Sequence, residues 1–416
     1  MFLTHLSRGI SVFAAFVFSV NIAVAAPVLK VIHTFTNTPD GSGPERRLIQ
    51  DAHGNFYGTA SFGGANGQGC VFELSPNSDG SWTEKILYSF SGPDGAIPVS
   101  SLVFDRAGNL YGTTAGGGAY DDGGTAFELS PTATGWTETV IHSFGNGFDG
   151  WDPQAGMIFD SAGNLYGTTQ LGGAVFGRGD DNGGTVFRLS SGGDGWTETI
   201  LYSFTGEYLG PDPNLPAGSV VFASNGTIYG VAQSGGVNGK GAVYELTPNG
   251  DGTYTESVIH NFTGPDGEDP NSELIWDANG NLYGTTQGGG HLDPCSGGCG
   301  VLFKLSNRGD GSWSETVLHA FLGADGFGPI GPPALDRSGN LYAVTEYGGA
   351  DSHGTVFKLV PLSGGSWGIR VLHNFTDGSD GAFPIGGLTL TSSQIFGTAS
   401  IGGGSTDSGV AFVITP

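Results

Sequence analysis

The chain has 416 residues, and its 39 acidic residues outnumber the 14 basic ones, which gives a formal net charge of −25. This balance argues against nucleic acids and anionic membrane surfaces as partners, because both require basic patches. It is compatible with cations, with basic or neutral partners and with uncharged glycans. Charged residues make up only 13% of the chain, so the sequence is not that of a disordered acidic segment.

The first element in chain order has the pattern of a secretory signal peptide. Arg8 follows a short polar start, an apolar run extends over residues 10–20, and Ala23-Val24-Ala25 is a small-residue cleavage motif. The apolar run is well short of the roughly 20 residues that a membrane-spanning helix needs. We therefore expect residues 1–25 to be removed. The mature protein is then secreted, extracellular or periplasmic, without membrane insertion.

The rest of the chain is a tandem repeat of the phrase GNLYGTT. Its aromatic residue recurs at spacings of 54, 55, 63, 54, 59 and 54 residues. The seven positions are Tyr57, Tyr111, Tyr166, Tyr229, Tyr283, Tyr342 and Phe396. A period of this length exceeds that of most helical solenoids and matches a four-stranded propeller blade.

Each copy is predicted to contain four short strands. In one copy these are residues 84–90, 102–105, 109–114 and 125–130, and Gly, Asn, Asp and Pro separate them. Short strands with such separators indicate an antiparallel meander. The sequence therefore predicts an all-β fold over residues 26–416: a single seven-bladed β-propeller domain, which we expect to be monomeric.

The two ends of the mature chain are predicted to share one blade. Residues 28–35 match the strand at 84–90, and residues 410–414 match the strand that precedes it in the repeat. We expect residues 29–35 to hydrogen-bond to residues 410–414, so that the N-terminal strand completes the last blade. Closure of this kind leaves no exposed sheet edge.

The repeat resembles the GloVer (Gloeo/Verruco-type) tandem repeat of exported bacterial proteins. The resemblance is carried by GNLYGTT, the Gly pair that follows it and G-T-V-F-x-L, as in residues 163–169 and 184–189. It extends over essentially the whole mature chain. It implies an exported repeat protein of propeller type, and it transfers no catalytic residues.

Histidine and aspartate recur with the repeat, which favours structural roles. One strand position reads His33, Tyr88, His142, Tyr202, His260, His319 and His373. We expect packing and hydrogen bonding there, because strands of seven different blades hold these residues apart. The Asp-Gly pairs, such as Asp94-Gly95, are typical of turns. Calcium needs about six to eight converging oxygen ligands. We therefore predict no metal centre and no cofactor, with weak calcium binding at these loops as the alternative.

The cysteines are few and suit an exported protein. Cys295 and Cys299 lie in one loop, and we predict a disulfide between them because oxidising compartments favour it. With His291 they form H-x3-C-x3-C, so zinc binding with Asp293 as a further ligand is the alternative.

A unique function requires a place where the repeat is broken. Three loops are enlarged: residues 169–184, 205–218 and 287–300. They belong to the third, fourth and fifth blades, and antiparallel strand order places them on one face. Loops on a rigid scaffold commonly carry binding, although insertions also drift freely there. The candidate residues are Arg178, Asp180, Asp181, Glu207, Tyr208, Asp212, His291 and Asp293, with Trp151 and Tyr120 from adjacent loops.

Two classes of function remain open. The first is a non-enzymatic binding or scaffold propeller whose loop face holds a glycan, a polymer or a protein partner. The second is a secreted polysaccharide lyase or hydrolase that uses a carboxylate such as Asp180, Asp181 or Asp212 with His291 as the base. The sequence contains no nucleophile motif, and it favours binding.

Overall fold

The computed structural model describes residues 26–173, 183–205 and 211–416. Across these ranges the regular secondary structure consists of β-strands, which form seven four-stranded antiparallel sheets. None of the described residues forms a helix long and apolar enough to cross a membrane. The predicted signal peptide, residues 1–25, lies outside the described ranges.

The seven sheets are the blades of a β-propeller, and each is given from its inner to its outer strand. Blade 1 is Ile49–Gln50, Phe56–Ala60, Cys70–Pro76 and Trp82–Ser89; blade 2 is Val103–Phe104, Leu110–Thr114, Thr125–Thr132 and Gly135–Ser143. Blade 3 is Ile158–Phe159, Leu165–Thr169, Thr185–Gly192 and Gly195–Ser203; blade 4 is Pro213–Phe222, Ile228–Gly235, Ala242–Pro248 and Tyr254–Asn261. Blade 5 is Ile275–Trp276, Asn281–Thr286, Val301–Asn307 and Trp313–Ala320; blade 6 is Phe327–Leu335, Leu341–Tyr347, Thr355–Pro361 and Trp367–Asn374. Blade 7 is Thr389–Leu390, Ile395–Ala399, Val410–Thr415 and Val28–Thr34. A small two-stranded sheet pairs Gly41–Ser42 with Phe62–Gly63.

The last blade closes the ring as predicted. Its outer strand comes from the N-terminus and pairs antiparallel with the C-terminal strand, from Val28 opposite Thr415 to Thr34 opposite Val410. The Phe35 amide continues the ladder by donating to the carbonyl of Gly409. Both the all-β fold class and the shared blade are therefore confirmed.

Aromatic contacts between neighbouring blades hold the ring together. A buried Phe just after each outer strand meets a third-strand aromatic of the following blade, with centroids 5.0–5.4 Å apart. The GNLYGTT tyrosine makes a second contact of this kind: Tyr57 packs edge-on against Phe104 of the next blade at 5.1 Å. Offset and edge-to-face aromatic pairs contribute about 0.5–1.5 kcal/mol beyond area burial. The tyrosine of the repeated phrase thus contributes to the contact between neighbouring blades.

The same tyrosine hydroxyl also ties down the first hairpin of its blade. Asp277 accepts hydrogen bonds from the backbone amides of Asn279 and Asn281 and from the hydroxyl of Tyr283 at 3.0 Å. Asp51, Asp105, Asp160 and Asp336 accept equivalent bonds. In blade 7 the aspartate position is Thr391 and the tyrosine position is Phe396. Blade 7 therefore lacks both groups, whereas blade 4 keeps Tyr229 but has Ala223 at the aspartate position, so this bond occurs in five of the seven blades.

Candidate binding site

The aspartates of the blade-entry loops have a structural role in every blade. Each lies beside the His or Tyr near the end of the preceding outer strand: Tyr202 donates to Asp212 at 2.9 Å, and His319 Nε2 lies 2.7 Å from Asp325. At Asp149 and Asp266 the histidine Nε2 lies 3.3 Å away. The same carboxylate caps its loop, as when the Thr205 amide donates to Asp212. Asp212 therefore stabilises a turn, and both of its carboxylate oxygens accept hydrogen bonds there.

The residue before the entry-loop proline has a left-handed backbone in all seven blades. Its φ lies between 51° and 67° at Gly43, Ile97, Asp152, Leu215, Asp269, Gly328 and Phe383. Such values cost energy in residues other than glycine and often mark functional sites. Here each amide donates to a carbonyl of the preceding blade, as Asp269 does to Lys240. The sevenfold recurrence shows that this strain belongs to ring closure.

The loop face of the ring is the face that carries the entry loops and the loops between second and third strands. The two loops of a blade are bridged to each other, as at Glu268 and Gly288 or Ala382 and Ile401. The enlarged loop at 287–300 is on this face, as predicted from the strand order. Cys295 and Cys299 are joined by a disulfide within it.

The blade 5–6 groove is a depression on the loop face between those two blades. It is lined by Glu268, Asp269, Gln287, Gly288, Ser296, Gly297, Gly298, Phe327, Gly328 and Tyr347. The disulfide loop thus forms one wall, and the entry loop and second strand of blade 6 form the other. Burial, with the charge of Glu268, raises the pKa of Asp269 to about 6. The groove therefore combines carboxyl and amide groups with aromatic rings.

The aromatic side of the groove continues across blade 6 as a row. Phe327 lies 5.6 Å from Tyr347 by ring centroids, and Tyr347 lies 5.3 Å from Phe383, which in turn lies 5.7 Å from His353. Tyr347 is 37% exposed, a large fraction for an aromatic side chain in this protein. A hydrogen bond to Glu346, together with burial, raises the pKa of Tyr347 to about 12.

A polar network leads from the groove around the mouth of the axial channel. The Gln287 amide donates to Glu346 at 3.1 Å, Gln170 donates to Gln233 at 2.9 Å, and Gln154 donates to Gln170 at 3.1 Å. Gln170, Gln233, Gln287 and Glu346 lie at the ends of second strands, and Gln154 precedes the inner strand of blade 3. Amides and a carboxylate therefore line the part of the loop-face mouth that blades 3 to 6 form.

The channel itself is lined by residues from all seven blades. One residue from each is Arg47, Ser101, Gly156, Gly218, Glu273, Pro332 and Gly387. Arg47 lies 3.9 Å from Glu273 across the channel, and Ser219 donates to the same carboxylate at 2.7 Å. Arg46 donates through Nε to the carbonyl of Val99. The inner-strand residues that line the channel thus vary between copies and include an arginine and a glutamate, although the surrounding repeat is regular.

The predicted site residues do not converge among the described residues. Trp151 pairs with Leu171 in a backbone bridge of blade 3, whereas His291 and Asp293 are exposed on the outer part of the disulfide loop. Arg178, Asp180, Asp181, Glu207 and Tyr208 lie outside the described ranges. The pairing of His291 with Asp212 that the enzyme hypothesis used is absent, because Asp212 is bonded in its own turn.

The sequence reasoning missed the groove and the channel. Phe327, Tyr347 and Phe383 lie at positions that vary between copies; the position of Tyr347, for example, is Gly116, Ser234 and Gly288 in three other blades but Phe62, Leu171 and Ile401 in the rest. Arg47 and Glu273 stand where other copies have Ser, Gly or Pro. Substitutions within the repeat were the available signal. The search for enlarged loops overlooked them because they change no length.

Two groups in the described part of the chain have metal-ligating side chains close together. They are His33 with Asp40 and Glu84, and His142 with Asp149 and Glu198, whose ligand atoms lie within 4.8 Å of one another. Both occur at blade interfaces rather than at the groove.

Comparison with known proteins agrees with the repeat and the fold. The Gloeobacter/Verrucomicrobia repeat pattern matches residues 2–213 and 174–412, two stretches that overlap and together span nearly the whole chain. The chain belongs to this repeat family. The resemblance seen in the sequence is thereby confirmed. No curated protein matches the chain.

Two solved structures that are similar to this repeat protein are longer chains. One is the extracellular domain of a putative one component system from B. thetaiotaomicron, with 13% identity and a TM-score of 0.56 over 92% of this chain and 40% of that chain. Another is PorZ, an essential surface component of the type-IX secretion system of Porphyromonas gingivalis, with 15% identity and a TM-score of 0.50 over 90% of this chain and 46% of that one. The chain spans less than half of each, and at these identities the likeness shows the fold alone.

Proposed function

We propose that this repeat protein is an exported binding propeller that holds a carbohydrate chain in the blade 5–6 groove. The observation that carries the proposal is the exposed Tyr347, which adjoins carboxylate and amide side chains in a concave site. Aromatic rings offer an apolar face for stacking, and carboxylates and amides accept and donate hydrogen bonds to hydroxyl groups. Ligand sites typically combine such surfaces with a few polar groups.

Charge supports an uncharged ligand over an acidic one. The groove contains Glu268 and Asp269, with Lys240 paired to Glu268 at its edge at 2.5 Å. A polyanion would meet like charge there, and the net charge of −25 would oppose its approach. Export is supported by the predicted signal peptide, and the similar solved structures are an extracellular domain and a surface component.

The proposal is tested with an array of neutral and acidic oligosaccharides, followed by calorimetric titration of those that bind. Tyr347→Ala is expected to weaken binding by about tenfold or more, the scale of an aromatic hot spot. Tyr347→Phe retains the ring and is expected to keep most of the affinity. Tyr120→Ala is the matched control, because Tyr120 is 39% exposed in the corresponding loop of blade 2.

The array also separates the proposal from its alternatives. Binding that survives Tyr347→Ala but is lost when residues 169–184 are shortened would place the ligand at blades 3 and 4. Loss of binding in EDTA would indicate a calcium-dependent site. If no saccharide binds and a protein partner is captured by the same face, the carbohydrate proposal is wrong.

A polysaccharide lyase or hydrolase is the second candidate, and one observation favours it. Asp269 has a pKa raised to about 6 within the groove, and general acids and bases work best near the operating pH. Release of reducing or unsaturated ends from a bound polysaccharide, abolished by Asp269→Asn, would establish this activity. Binding without product formation would support the binding protein.

A further inference from the structure

A second feature recurs at the interfaces between blades. In the outer strand, the residue opposite the third-strand leucine is Glu in five blades, as Glu138 is opposite Leu129. These residues are Glu84, Glu138, Glu198, Glu256 and Glu315. In blades 6 and 7 the same position is Ile369 and Leu29. An apolar residue therefore fits this position, and the carboxyl group is not needed for the fold of a blade.

Each of the five glutamates leaves one oxygen without a partner. The Oε1 atom of every one is buried and accepts no hydrogen bond from any described residue. None of the five pairs with a Lys or Arg of the described chain. An ionised carboxylate in that position loses its hydration without compensation, which is costly. A neutral carboxyl group avoids most of this cost and gains an O–H donor.

Each glutamate faces the aspartate of the loop that enters its own blade, and that aspartate lies beside the His or Tyr of the preceding blade's outer strand. The facing titratable groups are Asp40, His33 and Cys70 at Glu84; Asp94 and Tyr88 at Glu138; Asp149 and His142 at Glu198; Asp212, Tyr202, Glu245 and Tyr244 at Glu256; and Asp266 and His260 at Glu315. At Glu198, Oε2 lies 3.7 Å from His142 Nε2. Every interface thus places a glutamate opposite an aspartate that adjoins the outer strand of the neighbouring blade.

The two carboxyl groups of a pair differ in their environment. Asp94 is buried but accepts hydrogen bonds from Tyr88 and from the Ser91 amide and hydroxyl, which hold its pKa below the usual value. Glu138 has no such donors, so burial and the charge of Asp94 raise its pKa to about 7. The pKa is likewise raised to about 7 at Glu84, Glu256 and Glu315 and to about 8 at Glu198. The proton therefore resides on the glutamate.

We propose that these five interfaces are proton-binding sites, each holding one proton on the glutamate of one blade against the aspartate that adjoins the outer strand of its neighbour, and that loss of the protons loosens the ring. No bond other than O–H is made or broken, and the proton passes to solvent. Two interfaces, those with Ile369 and Leu29, are insensitive to this change. Exposure to alkaline medium thus weakens contacts between blades while leaving each blade's own ladder intact.

The direction of the pH effect follows from the raised glutamate pKa values. Because the folded pKa exceeds the unfolded value of 4.5, the stabilisation is fully present below pH 4.5. It declines as the pH rises and is lost above the folded values of about 7 to 8. For each pKa unit by which the folded glutamate exceeds the unfolded one, the unfolding equilibrium constant changes by about tenfold per site.

The test is urea unfolding of the purified protein at pH 5 and pH 8.5, with Gln standing for the protonated glutamate. We expect the urea midpoint of the wild-type protein to be lower at pH 8.5 than at pH 5. Glu138→Gln should remove part of that fall, and replacement of all five glutamates by Gln should remove most of it. Glu138→Ile copies blade 6 and should behave as Glu138→Gln does. Asp194→Asn, at an exposed hairpin position, is the charge control and should retain the full fall.

Single variants keep the test decisive if the fivefold variant fails to fold. An unchanged pH dependence in both Glu138→Gln and Glu138→Ile would overturn the proposal. A decrease of the wild-type urea midpoint at pH 8.5 on addition of EDTA would also overturn the proposal, because a metal ion would then occupy these interfaces in place of the proton. Carboxyl carbon NMR provides a direct readout: the signal lost in Glu138→Gln must titrate near neutral pH, and titration near 4.5 would refute it.

Discussion

Gly284→Ala tests whether GNLYGTT contains a glycine because the core has no room there for a larger side chain. A methyl group at this position would lie 2.7 Å from Phe303 Cζ and 3.0 Å from Leu274 Cδ2. Phe303 is fully buried in the inter-blade contact with Phe262, so it has little room to move. Overpacking of a close-packed core by one methyl group costs about 1–3 kcal/mol. We expect a loss at the upper end of that range, because two neighbours are displaced.

Blade 6 contains a natural control for this substitution. It carries Ala343 at the glycine position, and the leucine position of its inner strand is Pro333. The smaller inner-strand residue leaves room for the methyl group. We therefore expect Leu274→Ala, which alone costs about 2–5 kcal/mol, to absorb much of the cost of Gly284→Ala in the double variant.

The assay is urea unfolding of the two single variants and the double variant, with the m-value checked for constancy. The predicted coupling is favourable, by about 1 kcal/mol or more, since the two sites are in contact. A cost below about 0.5 kcal/mol for Gly284→Ala, or strict additivity in the double variant, would refute the packing explanation. The glycine would then serve the strand backbone alone.

Three further predictions concern the turns and the disulfide loop. Tyr283→Phe removes the hydroxyl bond to Asp277 and should cost about 0.5–1.5 kcal/mol by urea unfolding, while the ring contacts remain. Asp94→Asn should cost about 1–3 kcal/mol at pH 6, and the difference should shrink as the pH falls through the lowered aspartate pKa, because the folded carboxylate then protonates; a difference constant from pH 6 to 2 would contradict this. Replacing Cys295 and Cys299 by Ser should speed proteolysis of residues 287–300 and weaken saccharide binding without a large change in global stability; an unchanged cleavage rate would show that the disulfide does not order this wall of the groove.

The seven-bladed ring could be predicted because its determinants are local and repeated. Every GNLYGTT predicts a buried second strand. Residues 410–414 match the third strand of the repeat and residues 28–35 match the fourth, which predicted that the two ends share a blade. The structural roles of the His and Asp positions followed from the same reasoning. Seven equivalent residues near the outer strands of seven blades cannot converge on one point.

The groove could not be predicted in the same way. Tyr347 and Phe383 belong to different blades, as do Gln287 and Glu346, and nothing in their spacing signals contact. The sequence reasoning followed loop length, which led to Trp151, His291 and Asp293, residues that the fold leaves apart. Side chains at equivalent positions of adjacent copies meet only after the ring has closed.

By itself the sequence determined the number of blades, their strand order and the way the ends join, because hydrophobic pattern and turn residues act over a few positions. The tertiary structure decided which side chains share a surface: the aromatic row of blade 6 lies beside the disulfide loop, and each interfacial glutamate lies opposite an aspartate that adjoins the neighbouring blade. The physical reason is that these contacts lie between blades. Their geometry depends on the curvature of the whole ring, which no single repeat contains.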